Sequence, residues 1–216
     1  MKYVLPTCYL LLLSSLVWGD DNHVHVEQVN GGDNLNLNIT QEGWNNSINF
    51  STDHVSNTFN LSQVGSGNSI SWVSYWGAGK GWGGDVDGSN NTENISQIGG
   101  ATYGRHILGD YNNVSVYQSG THTHNLDIHA SNIDHDLWQE GSGSHYNHTY
   151  FYGSANYSDT NIMQKGDASH NSQIRLQGSE KTTLNLLQQG DTNQTYNLTQ
   201  NCHTVGGCTV NITQGN

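Results

Sequence analysis

Asn38-Ile39-Thr40-Gln41-Glu42-Gly43 is the stretch that decides the fold, because the chain repeats its pattern from end to end. In each copy an aliphatic residue is followed two positions later by Gln, and in all but the last copy Gly lies two positions after the Gln. Eight copies occur, and the last one, Asn211-Ile212-Thr213-Gln214-Gly215, is shortened. Successive Gln residues are 21 to 26 residues apart, except for one interval of 34. Such a repeat predicts stacked structural units rather than a single globular core.

The copies supply three sets of equivalent residues, to which we assign core, ladder and turn roles. The predicted core residues are Ile39, Leu61, Ile95, Val116, Leu137, Ile162, Leu186 and Ile212. The predicted ladder residues are Gln41, Gln63, Gln97, Gln118, Gln139, Gln164, Gln188 and Gln214. The predicted turn residues are Gly43, Gly65, Gly99, Gly120, Gly141, Gly166 and Gly190.

The residues before each Gln alternate between apolar and polar. Stepping back in twos from Gln118 gives Val116 and Val114, whereas the intervening positions are polar or aromatic. This period of two indicates a strand with one buried face. Two copies are weaker, because Glu93 and His135 fall on the inward face.

A polar turn and a second strand follow each Gln-x-Gly. Asn46, for example, leads into Ile48 and Phe50. The sequence therefore predicts an all-β fold, a β-solenoid of about eight two-strand rungs with two facing sheets. Stacked rungs place equivalent amides above one another, where they form hydrogen-bonded ladders. Besides the Gln row, we expect ladder or assembly roles for four further amide side chains, Asn46, Asn68, Asn193 and Gln200.

Residues 1–19 are predicted to be a signal peptide, and residues 20–216 the repeat domain. Lys2 precedes an apolar run that is too short for a spanning helix, so the mature chain would have no membrane span.

A Trp/Gly-rich insertion at 75–90 explains the interval of 34 residues; it would bulge as a loop that binds glycan or a partner, or packs back over an edge. Cys202 and Cys208 flank a short turn, which favours a local disulfide over a redox or metal site.

Composition and the absence of certain motifs limit the classes of function that we expect for this chain. Only 33% of residues are hydrophobic and the formal net charge is −12, which opposes binding to nucleic acid or to an anionic membrane. No nucleophile, phosphate-loop or paired-carboxylate motif occurs, so we expect no catalytic residues, no cofactor and no enzyme activity. The pairs His23/His25 and His122/His124 have a spacing that a metal could use, but solvated histidine is favoured and no metal site is predicted.

The repeats resemble those of curlin, the subunit of bacterial functional amyloid fibres, over roughly residues 33 to 216. The family repeat is Ser-x5-Gln-x-Gly-x-x-Asn-x-Ala-x3-Gln, and Asn57 to Asn68 matches its first half with Asn in place of Ser. The larger residues in place of Ala, the irregular spacing, the Trp/Gly insertion and the cysteine pair depart from the family pattern.

The resemblance implies a secreted subunit of extracellular, cell-surface fibres in bacterial biofilms and adhesion. The expected partners are further copies of the chain, a nucleator or major subunit, and an outer-membrane secretion apparatus. Uncapped terminal rungs, with the last copy at Asn211 to Gly215, would let one subunit template the next. Two alternatives stay open at this point, a minor nucleator of the same fibre and a monomeric secreted β-solenoid adhesin that binds glycan or surfaces.

Overall fold

The computed structural model describes residues 16–18, 21–29, 34–53, 55–72, 86–151 and 155–215. Most of the predicted signal peptide lies outside these residues, as do residues 73–85 of the predicted Trp/Gly insertion. Among the described residues, no helix is long and apolar enough to cross a membrane.

The described residues form two nine-stranded parallel sheets. The first contains, in spatial order, β1 (Leu16–Trp18), β3 (Asn36–Trp44), β5 (Thr58–Ser66), β8 (Thr92–Ile98), β10 (Asn113–Ser119), β12 (Asp134–Glu140), β14 (Asp159–Lys165), β16 (Thr182–Gln189) and β18 (Cys208–Gln214). The second contains β17 (Gln194–Cys202), β15 (His170–Gly178), β13 (Tyr146–Phe151), β11 (Thr123–His129), β9 (Thr102–Leu108), β6 (Ser69–Trp72), β4 (Ser47–Asp53) and β2 (His23–Val29), with β7 (Val86–Asp87) bridging β4 and β9.

The chain alternates between the two sheets, so it winds into a parallel β-solenoid of about seven turns. This confirms the predicted fold class. The register keeps the repeat in phase, since Gln41 pairs with Gln63, Gln118 with Gln139 and so on to Gln214. A shift by one residue would turn every buried side chain outward, so the apolar pattern itself specifies this register.

A narrow core runs between the sheets. Seven of the eight predicted core aliphatics are at most 6% exposed, and Ile212, on β18, is half-buried. The second sheet contributes the facing residues, among them Ile48, Leu126 and Ile174. Each turn thus buries only a few large apolar side chains, each contributing about 1.5–3 kcal/mol, so the remaining interior is polar and must be hydrogen-bonded.

Glycine is required where successive turns meet. All seven predicted turn glycines have positive φ. At Gly141, φ is 124°, and an added Cβ would lie 2.1 Å from the carbonyl oxygen of Gly166 in the next turn. The turn therefore needs both the left-handed backbone and the missing side chain.

The solenoid is less well covered at its two ends. Val26 and Leu35 in the first turn, and Leu198 and Val210 in the last, are only partly buried although they pack on the core. A disulfide between Cys202 and Cys208, as predicted, closes the turn that joins β17 to β18.

Candidate functional site: the buried side-chain ladders

The eight repeat glutamines form one continuous ladder inside the solenoid. Each Nε2 donates to the Oε1 of the Gln in the next turn, and the seven contacts measure 2.6 to 3.0 Å. All of these glutamines except Gln214 are fully buried. Because every amide points the same way, the ladder has a polarity. Gln41 Oε1 at its first end is buried and has no hydrogen-bond partner among the described residues.

The same amides also join the two sheets. Each Gln Nε2 lies 3.1 to 3.5 Å from a backbone carbonyl oxygen near the start of a strand in the second sheet, such as Ser69 O for Gln97. From Gln41 to Gln188 both Nε2 protons are therefore used, and from Gln63 to Gln188 the oxygen is paired as well, so the buried amides are satisfied. A carboxylate could not replace it, since it has no donor.

A second row of amides lies at the corner where each turn enters the second sheet. Asn68 donates to Val64 O at 2.9 Å, and its backbone N–H donates to Asn46 Oδ1 at 3.1 Å. Asn46 and Asn68 thus occupy the predicted ladder. Asn193 instead lies exposed in a turn, where it accepts from Ser169 N, and Gln200 lies in register with Leu176 rather than with another amide.

A third row lies at the opposite corner, and sequence reasoning did not assign it a ladder role. Asn57, Asn91 and Asn112 are all buried, and the Oδ1 of each accepts from the backbone N–H one turn later. Their Nδ2 groups donate to the carbonyl oxygens of Gly88, Gly109 and Ala130, respectively. The sequence did contain a signal for this row, because each of these Asn residues lies immediately before a strand and at the same distance from the repeat Gln.

Histidine takes over from Asn in the middle of the second row. His122, His145 and His170 stack in successive turns with ring centroids 4.6 and 4.9 Å apart. The Nε2 of His145 lies 2.9 Å from Glu140 O, so it donates, while Nδ1 of His122 accepts from His145 N. A neutral imidazole protonated on Nε2 thus reproduces the donor and acceptor of the Asn amide.

Protonation would destroy this mimicry, since imidazolium has no acceptor. Burial lowers the pKa of His145 to about 4, an effect that the neighbouring His122 and His170 reinforce. Burial likewise lowers the pKa of His122. His122 and His145 are therefore held neutral at pH 7.

Charge is also buried in the core. Glu93, the weak position of the third repeat, lies 2.9 Å from Arg105 Nε, and both side chains are fully buried. The guanidinium also stacks over the ring of Phe50, 4.3 Å from its centroid. Arg105, on β9 of the opposite sheet, compensates the inward carboxylate.

The other weak position, His135, also has a buried partner on the second sheet, His124. Its Nε2 lies 3.3 Å from that of His124, its Nδ1 lies 2.6 Å from Thr160 Oγ1, and both imidazoles are fully buried. Burial lowers the pKa of His135 to about 3, and burial together with His135 lowers the pKa of His124 well below its ordinary value. The expectation of solvated histidine was wrong for His122 and His124. His122 lies in the buried row at the corner before β11, and His124 lies on the inward face of β11.

His23 and His25, in contrast, are exposed on β2. Within the described part of the chain, one group of three metal-ligand side chains comes together, and it lies elsewhere, at His106, Asp127 and His129.

Comparisons with protein-family models, with curated proteins and with solved structures each return no match.

Proposed function

We propose that the chain is a structural subunit that assembles end to end into an extracellular, curli-like β-solenoid fibre. The observation that supports this most directly is the polarity of the Gln ladder. Among the described residues, Gln41 offers an acceptor without a partner, while Gln214, the last Gln of the ladder, is half-exposed. Gln214 of one copy and Gln41 of the next have the donor and acceptor needed to continue the ladder.

The terminal strands support the same conclusion. Among the described residues, β18 pairs only with β16 and β2 only with β4. Sheet edges with free backbone groups are templates for further strands, and most proteins protect them. The edge of β3 is covered by Leu16–Trp18, which belongs to the predicted signal peptide, so cleavage would expose it as well.

Assembly of residues 20–216 tests the proposal. We expect purified protein to form thioflavin-positive fibres with reflections near about 4.7 Å and about 10 Å. A chain that stays monomeric at high concentration would contradict the proposal and favour the adhesin alternative.

A charge at the end of the stack should block growth without unfolding the subunit. Ile212→Lys places an ammonium in the half-buried row of β18, where docking of the next copy would bury it unpaired. We expect elongation at least about tenfold slower. Thr213→Lys is the matched control, because Thr213 is exposed and points away from the core. Equal elongation rates for the two variants would show that β18 is not the growing face.

A further inference from the structure

The outward face of the second sheet carries a cluster of metal-ligand side chains. Asp127 on β11 is in register with His106 on β9, and His129 lies two residues further on the same face of β11. Asp127 Oδ1 is 2.9 Å from His129 Nε2 and 3.7 Å from His106 Nδ1. The three ligand atoms lie within 4.8 Å of one another.

We propose that His106, Asp127 and His129 form a binding site for a late first-row divalent metal ion, with Zn²⁺ and Cu²⁺ as the best-fitting ions. Two imidazole nitrogens with one carboxylate oxygen suit these ions, whereas Ca²⁺ and Mg²⁺ prefer an all-oxygen shell. The site is distinct from the ladders and does not depend on fibre assembly.

The distances fit such an ion. Metal–nitrogen and metal–oxygen bonds of about 2.0–2.2 Å place neighbouring ligand atoms roughly 3.0–3.5 Å apart. The contact to His129 is slightly shorter than this range and the contact to His106 slightly longer. The His106 ring must move closer to the other two ligands to complete the geometry, and rotation about its side-chain torsions allows that movement.

The surroundings also suit an ion. The His106 and His129 side chains are 32% and 30% exposed, whereas that of Asp127 is 10% exposed. The carboxylate is therefore held between two imidazoles that are partly open to solvent. Three protein ligands leave one or more positions for water, as in open zinc sites.

Bound metal would link adjacent turns, because His106 belongs to β9 and the other two ligands to β11. An ion that binds the folded chain and not the unfolded one stabilises the fold. Sequence reasoning missed the site because its residues come from different repeats, and only the strand register brings them together. The exposed pair His23/His25, whose spacing did suggest a site, has no third ligand near it among the described residues.

Zn²⁺ titration of the full chain against a chromophoric chelator tests the proposal. We expect one Zn²⁺ per chain, and affinity at least about tenfold lower in Asp127→Asn and in His129→Ala. The control His23→Ala/His25→Ala should bind as the unchanged chain does. In parallel, Cu²⁺ bound to the chain should show coupling to two imidazole nitrogens by pulsed EPR, and to one in His129→Ala. Zn²⁺ should raise the melting temperature of the unchanged chain more than that of Asp127→Asn at the same concentration.

Three results would overturn the site: absence of Zn²⁺ binding, equal affinity in Asp127→Asn and the unchanged chain, or loss of binding in the His23/His25 control. Circular dichroism without metal establishes that each variant is folded. If Asp127→Asn fails to fold, His129→Ala decides the question, because its side chain is partly exposed and outside the core.

Discussion

Acid should destabilise the solenoid through His124 and His135. Both imidazoles are neutral in the folded core, where burial keeps their pKa below the ordinary value of 6.5. Below pH 6.5 the unfolded chain therefore binds more protons than the folded one, and stability falls as the pH falls. The contribution is complete above about pH 6.5 and is lost progressively towards the folded pKa.

The size of the effect follows from His135, whose folded pKa is about 3. Each pH unit below 6.5 removes about 1.4 kcal/mol per histidine that is protonated only in the unfolded chain. At pH 5 the loss from His135 is about 2 kcal/mol, and it levels off at about 5 kcal/mol near pH 3. His124 adds a loss of the same sign. This is a large part of the stability of an ordinary domain.

Urea unfolding of dilute, unpolymerised protein between pH 4 and pH 8 measures this loss. The matched variant is His124→Ile/His135→Val, because Ile70 and Val114 occupy the same two inward rows in other turns. Its unfolding free energy should fall less steeply, by up to about 2.7 kcal/mol per pH unit for two protons.

A second comparison uses His23→Ala/His25→Ala, which removes two exposed imidazoles. This variant should keep the acid sensitivity of the unchanged chain. The reasoning is refuted if His124→Ile/His135→Val unfolds with the same pH dependence as the unchanged chain, since the two core imidazoles would then titrate alike in both states.

Three further changes probe the interior by equilibrium unfolding. Gln118→Leu leaves the ladder partners on both sides unpaired and should cost about 2–5 kcal/mol; a loss under 1 kcal/mol would contradict a satisfied buried ladder. Gly141→Ala should be much more destabilising than Gly67→Ala, whose added Cβ meets nothing within 4 Å, and equal losses would contradict the close contact between turns. Glu93→Val should cost about 3–5 kcal/mol, and adding Arg105→Leu should restore most of it; additive losses would contradict a buried pair.

Periodicity predicted the parts of the structure that each turn repeats. The alternation ending at Gln118 identified the strand, its inward aliphatics and the amide row, because these depend only on a period of two and on stacking. The positions of the turn glycines were predicted from their fixed distance to the repeat Gln. Asn193 and Gln200 departed from expectation, since the irregular turn near the end of the chain shifts the amides out of the row.

Pairs between different strands could not be read from the sequence. Glu93 and Arg105 are 12 positions apart but face each other across two sheets. His106 and Asp127 meet only through the register of β9 and β11. In the sequence, each of these residues looks like a defect in the repeat or like a solvated surface group. Its role becomes clear only when the structure shows its partner.

These unique contacts fix the register between turns, which the repeats alone leave ambiguous. Identical Gln rungs could stack equally well after a slip of one whole turn, because each amide would meet another amide. Such a slip would take the fully buried Arg105 guanidinium away from the ring of Phe50, which lies in an earlier turn. It would also leave His135 without His124. The repeated ladders therefore supply interchangeable contacts, while the irregular pairs in the middle turns give the chain a single internal register.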